Sequence, residues 1–303
     1  MPLKLILDTD IGTDVDDCLA LALILASPEV ELVGVTAVYG DVALRGRMIA
    51  LLLQLRGVTG IPVALGTSQP LLGKRRIYWA GHEGQGLLTP EAETFPFSTE
   101  HAADLIVRMV MAHPGEITVA AIGPLTNLAL AFLKEPRLAH ALAGLTVMGG
   151  VVGGAGALHL PWVEHNIRCD PEAGHIVFAS GAPLTVVPLD VTTQVCIRRA
   201  DAARIGAVGD PFHTAVADQL TRYPPFVERG WTHLHDPLAV ATLLDPTLVE
   251  FQPVRMVVET QGEHTAGATL AALPTAEAPA NAHIALRVDV AAAERFIAER
   301  LTQ

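Results

Sequence analysis

Leu5-Ile6-Leu7-Asp8-Thr9-Asp10-Ile11-Gly12-Thr13-Asp14-Val15-Asp16-Asp17 runs an apolar strand into five carboxylates, and the apolar stretch Cys18 to Ala26 follows at once. In an extended segment residues two apart point the same way, so Asp8 and Asp10 are expected to leave the strand end on one side. Gly12 lets the backbone turn, and Asp14, Asp16 and Asp17 fall where the next helix should begin. A helix N-terminus tolerates negative charge because its free N–H groups and dipole are positive there. Capping accounts for one or two of the five acids and not for the rest. Carboxylates crowded together either raise one another's pKa or recruit a cation, and an all-oxygen set favours a hard divalent ion, Ca²⁺ or Mg²⁺.

Two other readings of this stretch fare worse. An EF-hand loop counted from Asp8 puts Gly12 at position 5, Thr13 at position 6 and Leu19 where the bidentate Glu belongs. Asp-x-Asp after a strand also resembles the nucleophile and acid pair of haloacid-dehalogenase-type phosphatases. The later Lys and acidic pair which that chemistry needs are not evident at matching strand ends.

Outward from this stretch, strand and helix patterns alternate: Leu3 to Leu7, Val15 to Ala26, Glu31 to Val38, Ala43 to Arg56 and Pro62 to Leu65. Ala102 to Ala112 (helix), Glu116 to Ala121 (strand), Leu125 to Leu133 (helix), Leu145 to Met148 (strand), Pro171 to Ala179 (helix) and Leu184 to Leu189 (strand) continue the series. Phe251 to Val290 reads as short strands before a closing helix from Ala291 to Leu301. This is the βαβ signature of a parallel sheet covered on both faces, so the expectation is an α/β fold, one doubly wound domain over residues 1–303 with a mostly parallel central sheet. Asp170-Pro171 and Asp236-Pro237 read as helix starts, with Asp as N-cap and Pro at the first helical position.

The composition suits a buried core and a small ligand. Half of the 303 residues are hydrophobic, and a net charge of −12 argues against a nucleic-acid partner. Cys18, Cys169 and Cys196 are odd in number and lack a C-x-x-C pair, which suits reduced thiols. With a strand at the start, no secretory pattern and no apolar run of roughly 20 residues, the expected location is the cytoplasm, away from membranes.

Ligands of open parallel sheets bind beyond the carboxyl ends of the strands. The loops there are Asp8 to Asp17, Tyr39-Gly40-Asp41, Ile122-Gly123-Pro124 and Met148-Gly149-Gly150, which makes Asp41 and Met148 substrate-binding candidates. The connection from Gly66 to Thr99, with Trp79, His82 and Gly84, exceeds the ordinary length of about 15 residues and points to function, with His82 as its candidate. Tyr223 to His235, carrying Phe226, Trp231 and His233, reads as an aromatic lid. Gly149-Gly150 with Gly153-Gly154 lacks the spacing of a dinucleotide fingerprint.

Together these residues resemble the inosine-uridine preferring nucleoside hydrolase family over nearly the whole chain. The resemblance rests on Asp8-Thr9-Asp10 with Gly12 and Asp16-Asp17, on Gly123-Pro124-Leu125-Thr126-Asn127, and on Met148-Gly149-Gly150. Glu164-His165-Asn166 with Asp170-Pro171-Glu172-Ala173, and His235-Asp236-Pro237, complete it. It implies a Ca²⁺-dependent enzyme that hydrolyses the N-glycosidic bond of ribonucleosides and assembles as a homo-dimer or homo-tetramer. Carried over by position, Asp10, Asp17, the carbonyl of Ile122 and Asp236 ligate the metal, and Asp16, Glu164 and Asn166 bind ribose hydroxyls. Asp8 orients the loop, Asp10 takes the proton of water, and His235, with an ordinary pKa near ~6.5, protonates the departing base.

This chain departs from the family pattern at three places. The acidic loop is two residues longer than the family's shortest form, so Asp14 and Asp16 are alternatives facing the ribose, with Asp16 preferred because it directly precedes Asp17. Asp41 stands where many members carry Asn, and Gly153 to Trp162 replaces a stretch that often offers an Asn to the 5′ side. A ribose- or nucleoside-binding protein that keeps the Ca²⁺ site and hydrolyses little is the alternative to the enzyme.

Overall fold

The computed structural model describes residues 2–88, 95–153 and 158–303. The first half runs β1 (Leu3–Thr9), α1 (Asp16–Leu25), β2 (Val30–Ala37), α2 (Val42–Leu55), β3 (Val63–Leu65), α3 (Ala102–Ala112), β4 (Ile117–Ala121), α4 (Thr126–Lys134), α5 (Leu138–Ala141) and β5 (Gly144–Met148). Next come α6 (His165–Cys169), α7 (Pro171–Ala179), β6 (Leu184–Val187), α8 (Leu189–Thr192), β7 (Cys196–Arg198), α9 (Arg199–Gly206), α10 (Pro211–Arg222) and α11 (Pro224–Arg229). The chain closes with β8 (Trp231–His233), α12 (His235–Leu244), β9 (Val249–Val258), β10 (Thr269–Ala272), β11 (Ala282–Val288) and α13 (Val290–Arg300).

Nine strands form one sheet in the order β10-β9-β11-β6-β5-β4-β1-β2-β3. The block from β3 to β11 is parallel, and β9 and β10 add an antiparallel edge. The fold is therefore α/β and doubly wound, with a mostly parallel sheet, as the alternation of apolar runs predicts. Strand parity divides the core between the two faces. Leu5, Leu7 and Ala120 pack with α1, α2 and α12 on one side, while Ile6, Val119, Ala121 and Val147 pack with α3, α4 and α7 on the other.

β1 sits between β2 and β4, where the winding reverses direction. Two connections leaving neighbouring strand ends in opposite senses open a crevice there. Among the described residues no helix is long and apolar enough to cross a membrane.

Several local expectations differ from the structure. β6 stops at Val187, because Pro188 supplies no ladder donor and Leu189 already begins α8. Asp170 does cap α7, accepting from Ala173 N–H at 3.1 Å. Asp236 does not cap α12, which begins one residue earlier at His235, so its carboxylate sits inside the first turn and is free for other partners. The stretch Tyr223 to His235 is not an open aromatic lid. It folds into α11 and β8, Phe226 is buried in the core, and Trp231 and His233 meet edge to face at 5.0 Å. Residues 89–94 of the long connection after β3, and 154–157 of the stretch before Trp162, lie outside the described residues.

Candidate active site

β1 delivers the acidic loop into the crevice. Its ladder continues past the last strand residue, with Ile122 N–H bonded to the Asp8 carbonyl at 2.9 Å and Val38 N–H to the Thr9 carbonyl at 3.0 Å. The β4 loop therefore comes close to Asp10. A Cβ on Gly123 would lie 2.8 Å from an Asp10 carboxylate oxygen and 2.9 Å from its backbone nitrogen, so only glycine fits. Gly12, at φ +120°, makes the turn toward α1 that the sequence assigns to it.

α1 and α12 pack against each other, and both are apolar nearly all round, which marks helices buried in the interior. Their N-termini bring Asp16 and Asp17 together with Asp236. One carboxylate oxygen from each lies within 4.8 Å of the other two, and all three side chains are buried. Burial first, and then the neighbouring carboxylates, pushes each of the three well above the usual carboxylate range. Thr9 donates to Asp17, and Asp236 N–H donates to Asp16 at 3.2 Å. Such a set is stable as three anions only around a cation, and its oxygen donors suit a hard divalent ion.

Asp10 lines the same cavity but lies outside this trio. Its carboxylate is 3.8 Å from the guanidinium of Arg45, a fully buried side chain that also donates to the Tyr39 carbonyl at 2.7 Å and the Ile11 carbonyl at 2.8 Å. Asp14 is held apart, accepting from the Tyr223 hydroxyl at 2.8 Å, so of the two alternatives it is Asp16 that joins the cluster. Asp8 does not reach the cavity with Asp10, contrary to their expected shared side. It is buried in the sheet, where one oxygen accepts from Asn127 at 2.8 Å and Thr36 at 2.5 Å and the other has no partner among the described residues. Burial, ahead of those hydrogen bonds, raises Asp8 to about 7.

The cavity has a volume of about 560 Å³, within the range of small-molecule sites. Met148, Glu164 and Asn166 form one part of its wall. The Asn166 amide donates to the Ile122 carbonyl at 2.8 Å and the Met148 carbonyl at 3.2 Å. Glu164 caps α6, accepting from the N–H groups of Asn166, Ile167 and Gly150, so three of its four acceptor positions are occupied. His82 and Tyr223 form another part. The His82 Nε2–H donates to the Thr13 carbonyl at 2.9 Å and ties the long connection to the acidic loop. Glu83 strengthens that tie by accepting from Ala80 and Gly81 N–H, each at 2.7 Å, and from the Thr13 hydroxyl at 3.2 Å.

His235 also lines the cavity, with Nδ1 2.7 Å from the Thr192 hydroxyl and its ring 5.1 Å from that of His233. Burial, and then His233, pushes its pKa down to about 3. The ordinary imidazole expected from sequence is thus a neutral one here. Asp41 stands away from the cavity, where its exposed carboxylate caps α2 by accepting from Leu44 N–H at 2.9 Å. An Asp after a strand and three residues before a helical N–H is a good cap, and that local chemistry accounts for it.

Sequence reading missed Arg45 and Glu83, and it named Tyr223 only as the start of the aromatic stretch. Arg45 had a signal: it lies three and four residues before Met48 and Ile49, so it shares their buried helix face.

Comparison with known proteins agrees with the geometry. The family model described as inosine-uridine preferring nucleoside hydrolase matches residues 5–295. The chain is 33% identical over 273 residues to uridine nucleosidase 1 of Arabidopsis thaliana, covering 86% of this chain and 79% of that protein. A plant nucleoside hydrolase structure aligns at TM-score 0.87 and 30% identity, covering 100% of this chain and 99% of that one. The purine-preferring ribonucleoside hydrolase from Gardnerella vaginalis aligns at TM-score 0.87 and 30% identity, covering 99% and 98%. A carboxylate trio at the winding reversal of a doubly wound sheet, with a family match over residues 5–295 and a fold match over the whole chain, places this chain in the inosine-uridine preferring nucleoside hydrolase family, as an N-glycosyl hydrolase.

Proposed function

We propose that the cavity hydrolyses the N-glycosidic bond of ribonucleosides with the help of Ca²⁺, releasing free base and ribose. The convergence of Asp16, Asp17 and Asp236 within 4.8 Å beside Asp10 carries this reading. Asp17 and Asp236 of that trio, with Asp10 and the Ile122 carbonyl on the same cavity wall, are the residues that would hold the ion, and their carboxylate and carbonyl oxygens suit a hard divalent cation. When bound, the ion lowers the pKa of water and offers an anchor for hydroxyl oxygens.

The remaining chemistry belongs to the chain. Asp10 accepts the proton of the attacking water, with Arg45 balancing its charge. Asp16, Glu164 and Asn166 orient the ribose hydroxyls, and Glu164 keeps one acceptor position for that purpose. As the C–N bond stretches, positive charge grows on the sugar, and the acidic wall stabilises it in a cavity of low dielectric. With the Thr192 hydroxyl, 2.7 Å from His235 Nδ1, acting as the donor, Nε2 would be the protonated nitrogen. A neutral imidazole then supports the departing base by hydrogen bonding as its negative charge develops.

Relatives named for uridine and for purine preference lie at 33% and 30% identity, so uridine and inosine are the first substrates to assay. Location in the cytoplasm, a single domain over residues 1–303 and assembly as a homo-dimer or homo-tetramer belong to the same proposal, and sedimentation reads the assembly directly. The test of chemistry is release of base and reducing sugar in equal amounts from uridine or inosine. Asp10→Asn should lose roughly 10²-fold or more while remaining folded. Tight nucleoside binding without release of base would instead favour the binding-protein alternative.

A further inference from the structure

A second cavity of about 400 Å³ opens beside the first and shares Tyr78, His165 and Arg168 with it. Its character is opposite. Lys74, Arg75 and Arg76 from the loop after β3 meet Arg168 from α6, so four of the chain's 20 Lys and Arg residues line one pocket of a protein with net charge −12. Lys74 and Arg168 lie 94 positions apart, so no single basic run accounts for the cluster. Among the described residues, none of the four makes an ion pair, whereas Arg108, Arg137, Arg198 and Arg300 all do.

The floor is built rather than incidental. Tyr39 lies there at φ +68°, the sole positive φ among the described non-glycine residues, and its hydroxyl accepts from Tyr78 N–H at 2.8 Å. Backbone strain of this kind persists where the surroundings hold it in place, and it clusters at ligand sites. Both tyrosines pack edge-on against His165, at 6.4 and 5.7 Å.

The pocket lies beside the residues assigned to the ribose. His165 and Arg168 sit on the helix that carries Asn166 and is capped by Glu164, the residues assigned above to the ribose. A third cavity, of about 270 Å³, opens at Asp14, His82 and Tyr223 and shares no lining residue with the basic one. The basic pocket therefore adjoins the sugar part of the wall. Several cations, three of them arginines with planar forks, match the oxygens of a phosphate better than those of a neutral hydroxyl.

We propose that this pocket takes a phosphate carried on the 5′ side of the ribose, so that the chain accepts ribonucleoside 5′-monophosphates as well as, or in preference to, uncharged ribonucleosides. The proposal rests on the hydrolase reading for its chemistry. Water adds its oxygen to the anomeric carbon, the C–N bond breaks, the base leaves with a proton, and the phosphate ester is untouched, which gives ribose 5-phosphate.

Two measurements on the native protein separate the pocket from the hydrolase reading. Calorimetric binding compares ribose, ribose 5-phosphate and inorganic phosphate, and base release compares uridine and inosine with their 5′-monophosphates. Ribose 5-phosphate should bind roughly 10–100-fold more tightly than ribose, as charge-assisted hydrogen bonds require. In the double variant Arg75→Gln, Arg76→Gln, the ratio of kcat/KM for monophosphate over nucleoside should fall by about tenfold or more.

Nucleosides cleaved, monophosphates refused and ribose 5-phosphate no tighter than ribose would overturn the pocket and leave the hydrolase intact. Tight ribose 5-phosphate with no base released from either substrate class would uphold the pocket and sink the hydrolase reading. Inorganic phosphate binding as tightly as ribose 5-phosphate would mean that the pocket holds a free anion, and the substrate proposal would fall.

Discussion

Replacing Arg45 by Met should destabilise the protein and loosen the acidic loop at once. The guanidinium is fully buried and donates to the carbonyls of Tyr39 and Ile11 and, at 3.1 Å, to the Thr13 hydroxyl. Met fills the volume but leaves two buried carbonyls without donors and Asp10 without its cation 3.8 Å away. Hydrogen bonds to charged groups contribute about 1.5–3 kcal/mol each, and breaking a buried pair costs about 3–5 kcal/mol, so the net loss should be about 3–5 kcal/mol. Arg45→Lys keeps the charge but lacks the fork that serves several acceptors together, and about half that loss is expected. Equilibrium urea unfolding with chelator present isolates the effect from metal binding, and an unchanged slope shows that the unfolded state is not the cause. Calcium affinity should fall as well, because Ile11 and Thr13 belong to the loop between Asp10 and Asp17. A loss under about 1 kcal/mol for Arg45→Met would refute the reasoning, since it would mean that the buried carbonyls find water or other donors.

Chelated protein should lose stability as pH rises. Asp16, Asp17 and Asp236 have folded pKa values above their ordinary 3.8, so the folded state binds more protons than the unfolded one as pH climbs past that value, and stability declines until the folded groups have titrated. Calcium should cancel that decline, and melting curves across pH with and without the ion read it directly. His235→Ala should lose roughly 10²-fold or more on inosine yet much less on nitrophenyl riboside, whose leaving group needs no help; equal losses would make His235 a structural residue. With its pKa near 3, the native enzyme should show no fall in rate on inosine as pH rises through 6.5, and a fall there would return His235 to an ordinary imidazole.

The parallel sheet was legible because its strands are covered on both faces and read as unbroken apolar runs. The acidic loop was legible because helix capping uses only one or two of five carboxylates in ten residues. What stayed hidden depended on tertiary partners. α9 and α10 each bury one stripe, Ala202 and Ile205, then Phe212, Val216 and Leu220, in otherwise polar sequence, so they lack the unbroken apolar runs that marked the sheet. Asp8 and Asp10 share strand parity, but the strand ends between them: Asp8 turns into the sheet toward Asn127, and Asp10 leaves it for the cavity. Asp41 looked functional because it follows a strand, and one hydrogen bond to Leu44 explains it. The state of His235 could not be read from a tripeptide, since it follows from burial and from His233 in β8.

Calcium titration of the chelated protein, followed by base release from uridine or inosine at each step, tests the central claim most directly. Activity should be absent after chelation and return in proportion to bound calcium, reaching its maximum at one ion per chain. Full turnover by protein shown by elemental analysis to hold no divalent metal would contradict the account.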